Sequence, residues 1–93
     1  MTRGAQIEEW KTEQIRKYLE EQFSGRRIDH FPRGDSTAVL FLVMERKRSI
    51  HQVLITKKFL DRFTDHAALL DTLSAIGVTD SMRRAGQRTV ELH

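Results

Sequence analysis

Two apolar runs dominate the middle of the chain, Thr37 to Met44 (TAVLFLVM) and Ile50 to Thr56 (IHQVLIT). Neither has a helical period, and both are rich in strand-forming side chains, so each is read as a β-strand. Arg46-Lys47-Arg48-Ser49 stands between them, four polar residues of hairpin-loop length. A shorter strand candidate, Arg27-Ile28-Asp29-His30-Phe31, precedes the strongest turn chemistry in the sequence, Pro32-Arg33-Gly34-Asp35-Ser36.

Helical patterns flank this core. From Ala5 to Phe23, Ile7, Trp10, Ile15, Tyr18 and Leu19 share one broad face, and Ser24-Gly25 supplies a stop. Beyond Thr56 the period turns helical again. Thr56 is an N-cap candidate for Lys57 to Phe63, and Asp65 for a helix through Ile76 that Gly77 ends. Val78 to Arg84 forms a further helical stretch broken by Gly86, and Thr89 to Leu92 alternates like a closing strand. The expected architecture is α+β in the order αβββααβ. It comprises an N-terminal helix, a three-stranded antiparallel meander, C-terminal helices and a short closing strand, as two layers in a single domain spanning residues 1–93.

An even-numbered loop would place Glu45 opposite Ile50, Val43 opposite Gln52 and Phe41 opposite Leu54. Alternation then assigns Ala38, Leu40, Leu42, Met44, Val53 and Ile55 to the core face, with His51 its one polar member. The other face would carry Val39, Phe41, Val43, Ile50 and Leu54, diluted by Glu45, Gln52 and Thr56. A sheet face left in water usually reads polar, and this one does not. These five apolar residues are therefore the expected contact surface for a protein partner or a second copy of the chain.

Composition narrows the alternatives. With 93 residues, 39% hydrophobic and 31% charged, the chain suits one small folded domain. No apolar run approaches the ~20 residues of a membrane span, and the first residues lack the apolar core of a secretory signal, so a cytoplasmic location is expected. The absence of cysteine removes disulfides, thiolate metal sites and thiol catalysis. A net charge of +3 and a pI of about 9.7 permit nucleic acid as a partner without requiring it.

Four constellations bear on chemistry. Gly34-Asp35 followed by Glu45-Arg46-Lys47 resembles the spacing of metal-dependent nucleases of the PD-(D/E)xK type, whose two carboxylates hold one cation. An uninterrupted strand from 37 to 44 would hold Asp35 and Glu45 roughly 33 Å apart, which argues against such a site. The four histidines offer no convergent set of ligands, with His30 and His51 expected on opposite faces. No serine lies in a glycine-rich elbow, and the five glycines form no phosphate-cradling loop. Basic residues are more suggestive: Arg26-Arg27, Arg33, Arg46-Lys47-Arg48, Lys57-Lys58 and Arg83-Arg84 with Arg88. The helix-strands-helix order is similar to that of double-stranded-RNA-binding domains, although the basic groups fall at opposite ends of the meander.

The expectation is thus a non-enzymatic binding module without a metal or other cofactor, acting through an apolar sheet face or a strand edge, with self-association among its modes. The rival is a nucleic-acid-binding module using Arg46, Lys47, Arg48, Lys57 and Lys58. A metal-dependent nuclease built on Asp35, Glu45 and Lys47 comes third.

Overall fold

A strand that is apolar on both faces has to lie inside a sheet, and β2 (Ala38–Glu45) does so between β1 (Arg27–Arg33) and β3 (Arg48–Thr56). The computed structural model describes residues 7–34 and 37–93. Its elements follow in the order α1 (Glu9–Gln22), β1, β2, β3, α2 (Lys57–Leu60), α3 (His66–Ala75), α4 (Val78–Ala85) and β4 (Thr89–Leu92). The strands form one mixed sheet in the order β1-β2-β3-β4: the first three make an antiparallel meander, and β4 runs parallel to β3. A parallel neighbour requires a crossover, which α2, α3 and α4 provide.

The expected elements are present, with shifted ends. α1 starts at Glu9; Ala5 and Gln6 of the expected helix lie outside the described residues. β1 continues through Pro32 to Arg33, which an edge strand tolerates because a missing N–H there can face solvent. The caps act where the sequence places them. Thr56 Oγ1 accepts from Phe59 N (3.2 Å) and Asp65 Oδ2 accepts from Ala68 N (3.2 Å). Gly77 takes a left-handed φ of +67° between α3 and α4, a conformation that a residue with a Cβ enters only at a cost.

The hairpin register departs from expectation and reverses the assignment of β2. The β2–β3 turn contains only Arg46 and Lys47, with Glu45 paired to Arg48 and Met44 to Ser49. A β-bulge then inserts Ile50, after which Val43 pairs with His51, Phe41 with Val53 and Val39 with Ile55. The faces of β3 stand as expected, but every β2 side chain is on the other side of the sheet, the consequence of a one-residue slip. Val39, Phe41 and Val43 are not a contact surface; they are core, with Phe41 and Val43 both 0% exposed. Ile50 also packs against the core, because the bulge turns it toward that side. Of the five expected contact residues only Leu54 lies on the opposite face.

The core joins that face to the helices. Ile28, Val39, Phe41, Val43, Val53 and Ile55 cluster with Ile15, Leu19 and Phe23 of the α1 region, Phe59 and Leu60 of α2, Leu69 and Leu73 of α3, and Met82 of α4. Val90 and Leu92 of β4 border it. One charged side chain is drawn inside: Lys11, 3% exposed, donates through Nζ to the Leu60 carbonyl (2.8 Å) and meets Glu8 Oε1 at 3.0 Å. It adds a second donor to a carbonyl at the end of α2, which also accepts from Phe63 N (3.1 Å), while tying α1 to that helix.

Two measurements follow from this packing. Phe41→Ala should lower the unfolding free energy by about 3–5 kcal/mol, whereas Leu42→Ala should lower it by about 1 kcal/mol, in denaturant titrations at low protein concentration. Comparable losses would mean that the faces of β2 are not so divided. Thr79 Oγ1 is buried without a partner among the described residues, so Thr79→Val, which keeps the shape and removes the hydroxyl, should gain about 1 kcal/mol.

Candidate functional site

Registration of the strands defines a second sheet face that contributes nothing to the core cluster. Across its middle row Phe31, Leu40 and Leu54 stand side by side, since Leu40 pairs with both. Leu42 is flanked by Asp29 and Gln52, Ala38 by Arg33 and Thr56, and Met44 by Arg27 and Ser49. Ala38 and Leu40 are buried within the row, Leu42, Met44 and Leu54 are half-buried, and Phe31 is 47% exposed. An apolar stripe with a charged and polar rim results.

The strand edges are less inviting. β1, one edge, carries Pro32 and the charged Arg27, Asp29 and Arg33; β4, the other, has only four residues. Proline, charge and shortness are the usual means of keeping an edge from pairing with another chain.

The meander also gathers charge. β1 starts, β2 ends and β3 starts at the same end of the sheet, and β4 runs from that side too, beginning opposite Gln52, four residues into β3. The connections that arrive there carry Arg26 and Arg27 after α1, Arg46, Lys47 and Arg48 in the hairpin, and Arg83, Arg84 and Arg88 at the close of α4. Half of the chain's 16 lysines and arginines therefore converge on one end. Specific contacts hold the segments together. Arg83 Nη2 donates to the Gln22 carbonyl (2.8 Å), and its guanidinium lies 5.0 Å over the Phe23 ring. His51 Nδ1 donates to the Gly86 carbonyl (3.2 Å), Gln87 Nε2 donates to the Ser49 carbonyl (3.5 Å), and Arg26 faces Glu45 at 3.6 Å. Gly86, with φ +63° and ψ −123°, occupies a region open only to glycine, and this turns the chain from α4 into β4.

Elsewhere Lys11, Arg16 and Lys57 are held in ion pairs, whereas Lys17, Arg33, Lys58 and Arg62 have none among the described residues. Arg16 sits between Glu13 (2.5 Å) and Glu20 (2.6 Å), a contact that holds the Glu13 carboxyl below its ordinary range and raises the guanidinium pKa. Lys57 is paired with Asp61 (2.8 Å). At the convergent end Arg27 is paired with Asp29 (3.1 Å), but Arg46, Lys47, Arg48, Arg84 and Arg88 have no ion pair among the described residues, and all five are exposed. Glu45, Arg46, Lys47, Arg48 and Ile50 line a shallow open recess of about 640 Å³.

The sequence-derived candidates are redistributed accordingly. Arg46, Lys47 and Arg48 belong to the basic end, while Lys57 and Lys58 lie at the far end of β3 and act as a separate group. Asp35 lies outside the described residues; its neighbours Gly34 and Thr37 stand at the opposite end of β2 from Glu45. Among the described residues no group of three or more His, Asp or Glu side chains is placed to share a metal ion. His30 and His51 share the core-side face rather than opposing each other, but on non-adjacent strands, with their rings tilted against Phe41 (5.8 Å) and Phe23 (5.2 Å) respectively. No helix among the described residues is long and apolar enough to cross a membrane. Sequence reasoning missed Phe31, Leu40 and Leu42 as members of this face, and missed the convergence of Arg26, Arg84 and Arg88 with the hairpin tip.

Arg46 has a φ of +60°. Two-residue hairpins favour Asn-Gly at these positions because left-handed conformations are costly for branched or long residues. Arg46→Gly is therefore expected to leave the fold intact and to raise the melting temperature slightly, by up to about 1 kcal/mol of stability. A clear destabilisation would show that the Arg46 side chain supports the fold.

Comparison with protein-family models, with curated proteins and with solved structures gives no significant match.

Proposed function

We propose that the protein is a non-enzymatic binding module that works through the second sheet face, with a further copy of the same chain as the partner. The observation that carries this reading is the row Phe31–Leu40–Leu54, extended by Leu42 and Met44, which lies outside the core cluster and leaves a phenylalanine ring 47% exposed. Contiguous apolar surface with a polar rim is the form that protein contacts take, and aromatic side chains in such a patch supply much of the binding energy.

A second copy suits the rim. Arg27 and Arg33 share the face with Asp29 and Glu91. A two-fold axis through the stripe can set a basic residue of one chain against an acidic residue of its mate, because an isologous contact uses one patch twice. The face is favoured over a strand edge because Pro32 interrupts the donors of β1 and β4 is short.

Size-exclusion chromatography with light scattering tests the proposal. The expected species is a dimer that Phe31→Asp converts to a folded monomer, weakening association by more than about tenfold, the effect of a charge buried at a contact centre. A wild-type chain that stays monomeric at high concentration contradicts self-association. A dimer indifferent to Phe31→Asp contradicts the choice of face.

A further inference from the structure

From the convergence of basic segments at one end of the sheet, we infer that this end is a binding site for the phosphodiester backbone of double-stranded nucleic acid. The site borders the apolar face and shares Arg27 with its rim, but not the row of Phe31, Leu40 and Leu54. Its centre is the hairpin tip Arg46-Lys47-Arg48, with Arg26 and Arg27 to one side and Arg84 and Arg88 to the other.

The backbone at Arg46 points to a ligand. A two-residue turn with a φ of +60° at its first position is the place for asparagine or glycine, yet Arg46 and Lys47 stand there. A long cationic side chain held at a strained position is retained most readily where the side chain has a task. The tip is exposed, projects past the last strand pair, and shows no internal ion pair for any of its three cations among the described residues.

Residue type and spacing identify the anion. Lys47 is the single lysine among eight cations, and arginine's planar fork matches phosphate oxygens two at a time. Four strands at ~4.8 Å spread the cations over roughly 14 Å, a span that covers about four phosphates on one strand of a duplex. The connections that carry the cations contain no exposed aromatic residue among the described residues, so the site lacks the stacking platform with which proteins hold single strands. Contacts confined to the backbone position a protein on a duplex without reading its sequence. An acidic protein surface could meet the same charge, and the test separates the two.

The test measures anisotropy of labelled mixed-sequence duplex DNA, duplex RNA and single-stranded DNA over a salt series, with polyglutamate as competitor. Either or both duplexes should bind at low salt, with log K falling against log salt at a slope of about −3 to −5. Replacing Arg46, Lys47 and Arg48 together by alanine should weaken binding at least tenfold and reduce the slope by about 2–3, whereas Lys57→Ala with Lys58→Ala should leave it unchanged. Arg46→Gly provides the control for folding: it should bind more weakly with a melting temperature equal to or above that of the wild type. Phe31→Asp should still bind, which separates this site from the apolar face. No duplex binding at low salt, unaltered binding by the triple variant, tighter binding to the single strand, or competition by polyglutamate as effective as by unlabelled duplex would each overturn the inference.

Discussion

The β-bulge at Ile50 is the constraint on which the rest of the molecule depends. The two-residue turn at Arg46-Lys47 would by itself bring the strands together in one register; the extra residue shifts that register before the strands reach the core. From that point Val39, Phe41 and Val43 face the same side as His51, Val53 and Ile55, and the helices pack there. A one-residue change in pairing would turn Leu40 and Leu42 toward the helices and leave Phe41 in water. The bulge also puts Ile50 and His51 together on the core side, where His51 reaches the Gly86 carbonyl and fixes the end of α4. One inserted residue thereby links the choice of core face to the placement of the α4–β4 connection.

Both proposed surfaces follow from this arrangement. A central strand apolar on both sides needs two covers, and the helices of the described chain supply one, on the Val39–Phe41–Val43 side. Leu40, Leu42 and Leu54 remain on the other, with Phe31 beside them on β1. The parallel pairing of β4 brings the end of α4 to the sheet end where the hairpin turns and α1 enters β1. Three basic segments far apart in sequence meet there because of topology, with Arg83 on the Gln22 carbonyl joining two of them.

Much of the architecture was legible in the sequence because its signals are local. The apolar runs at 37–44 and 50–56 became β2 and β3, Thr56 and Asp65 cap their helices, and Gly77 and Gly86 stand at the breaks. The register was not legible. Arg46-Lys47 carries none of the asparagine or glycine chemistry that marks a two-residue turn, and an apolar residue such as Ile50 gives no sign that it is the extra one in a bulge. β2 is apolar at both parities, so alternation could not say which face was inside. Hence Leu54 and the cations of the hairpin were found, while Phe31, Leu40 and Leu42 were not. The basic end needed one more fact, that β4 lies parallel to β3, which the helical crossover before it could have suggested.

Nuclear Overhauser contacts across the β2–β3 hairpin test the central claim, the bulged register, most directly. The bulged register predicts side-chain contacts linking Phe41 with Val53, Leu40 with Leu54 and Val43 with His51, and none between the side chains of Val43 and Gln52, which lie on opposite faces. Side-chain contacts joining Phe41 to Leu54 and Val43 to Gln52 would contradict it, because they would return Phe41 to the second face and Leu40 to the core.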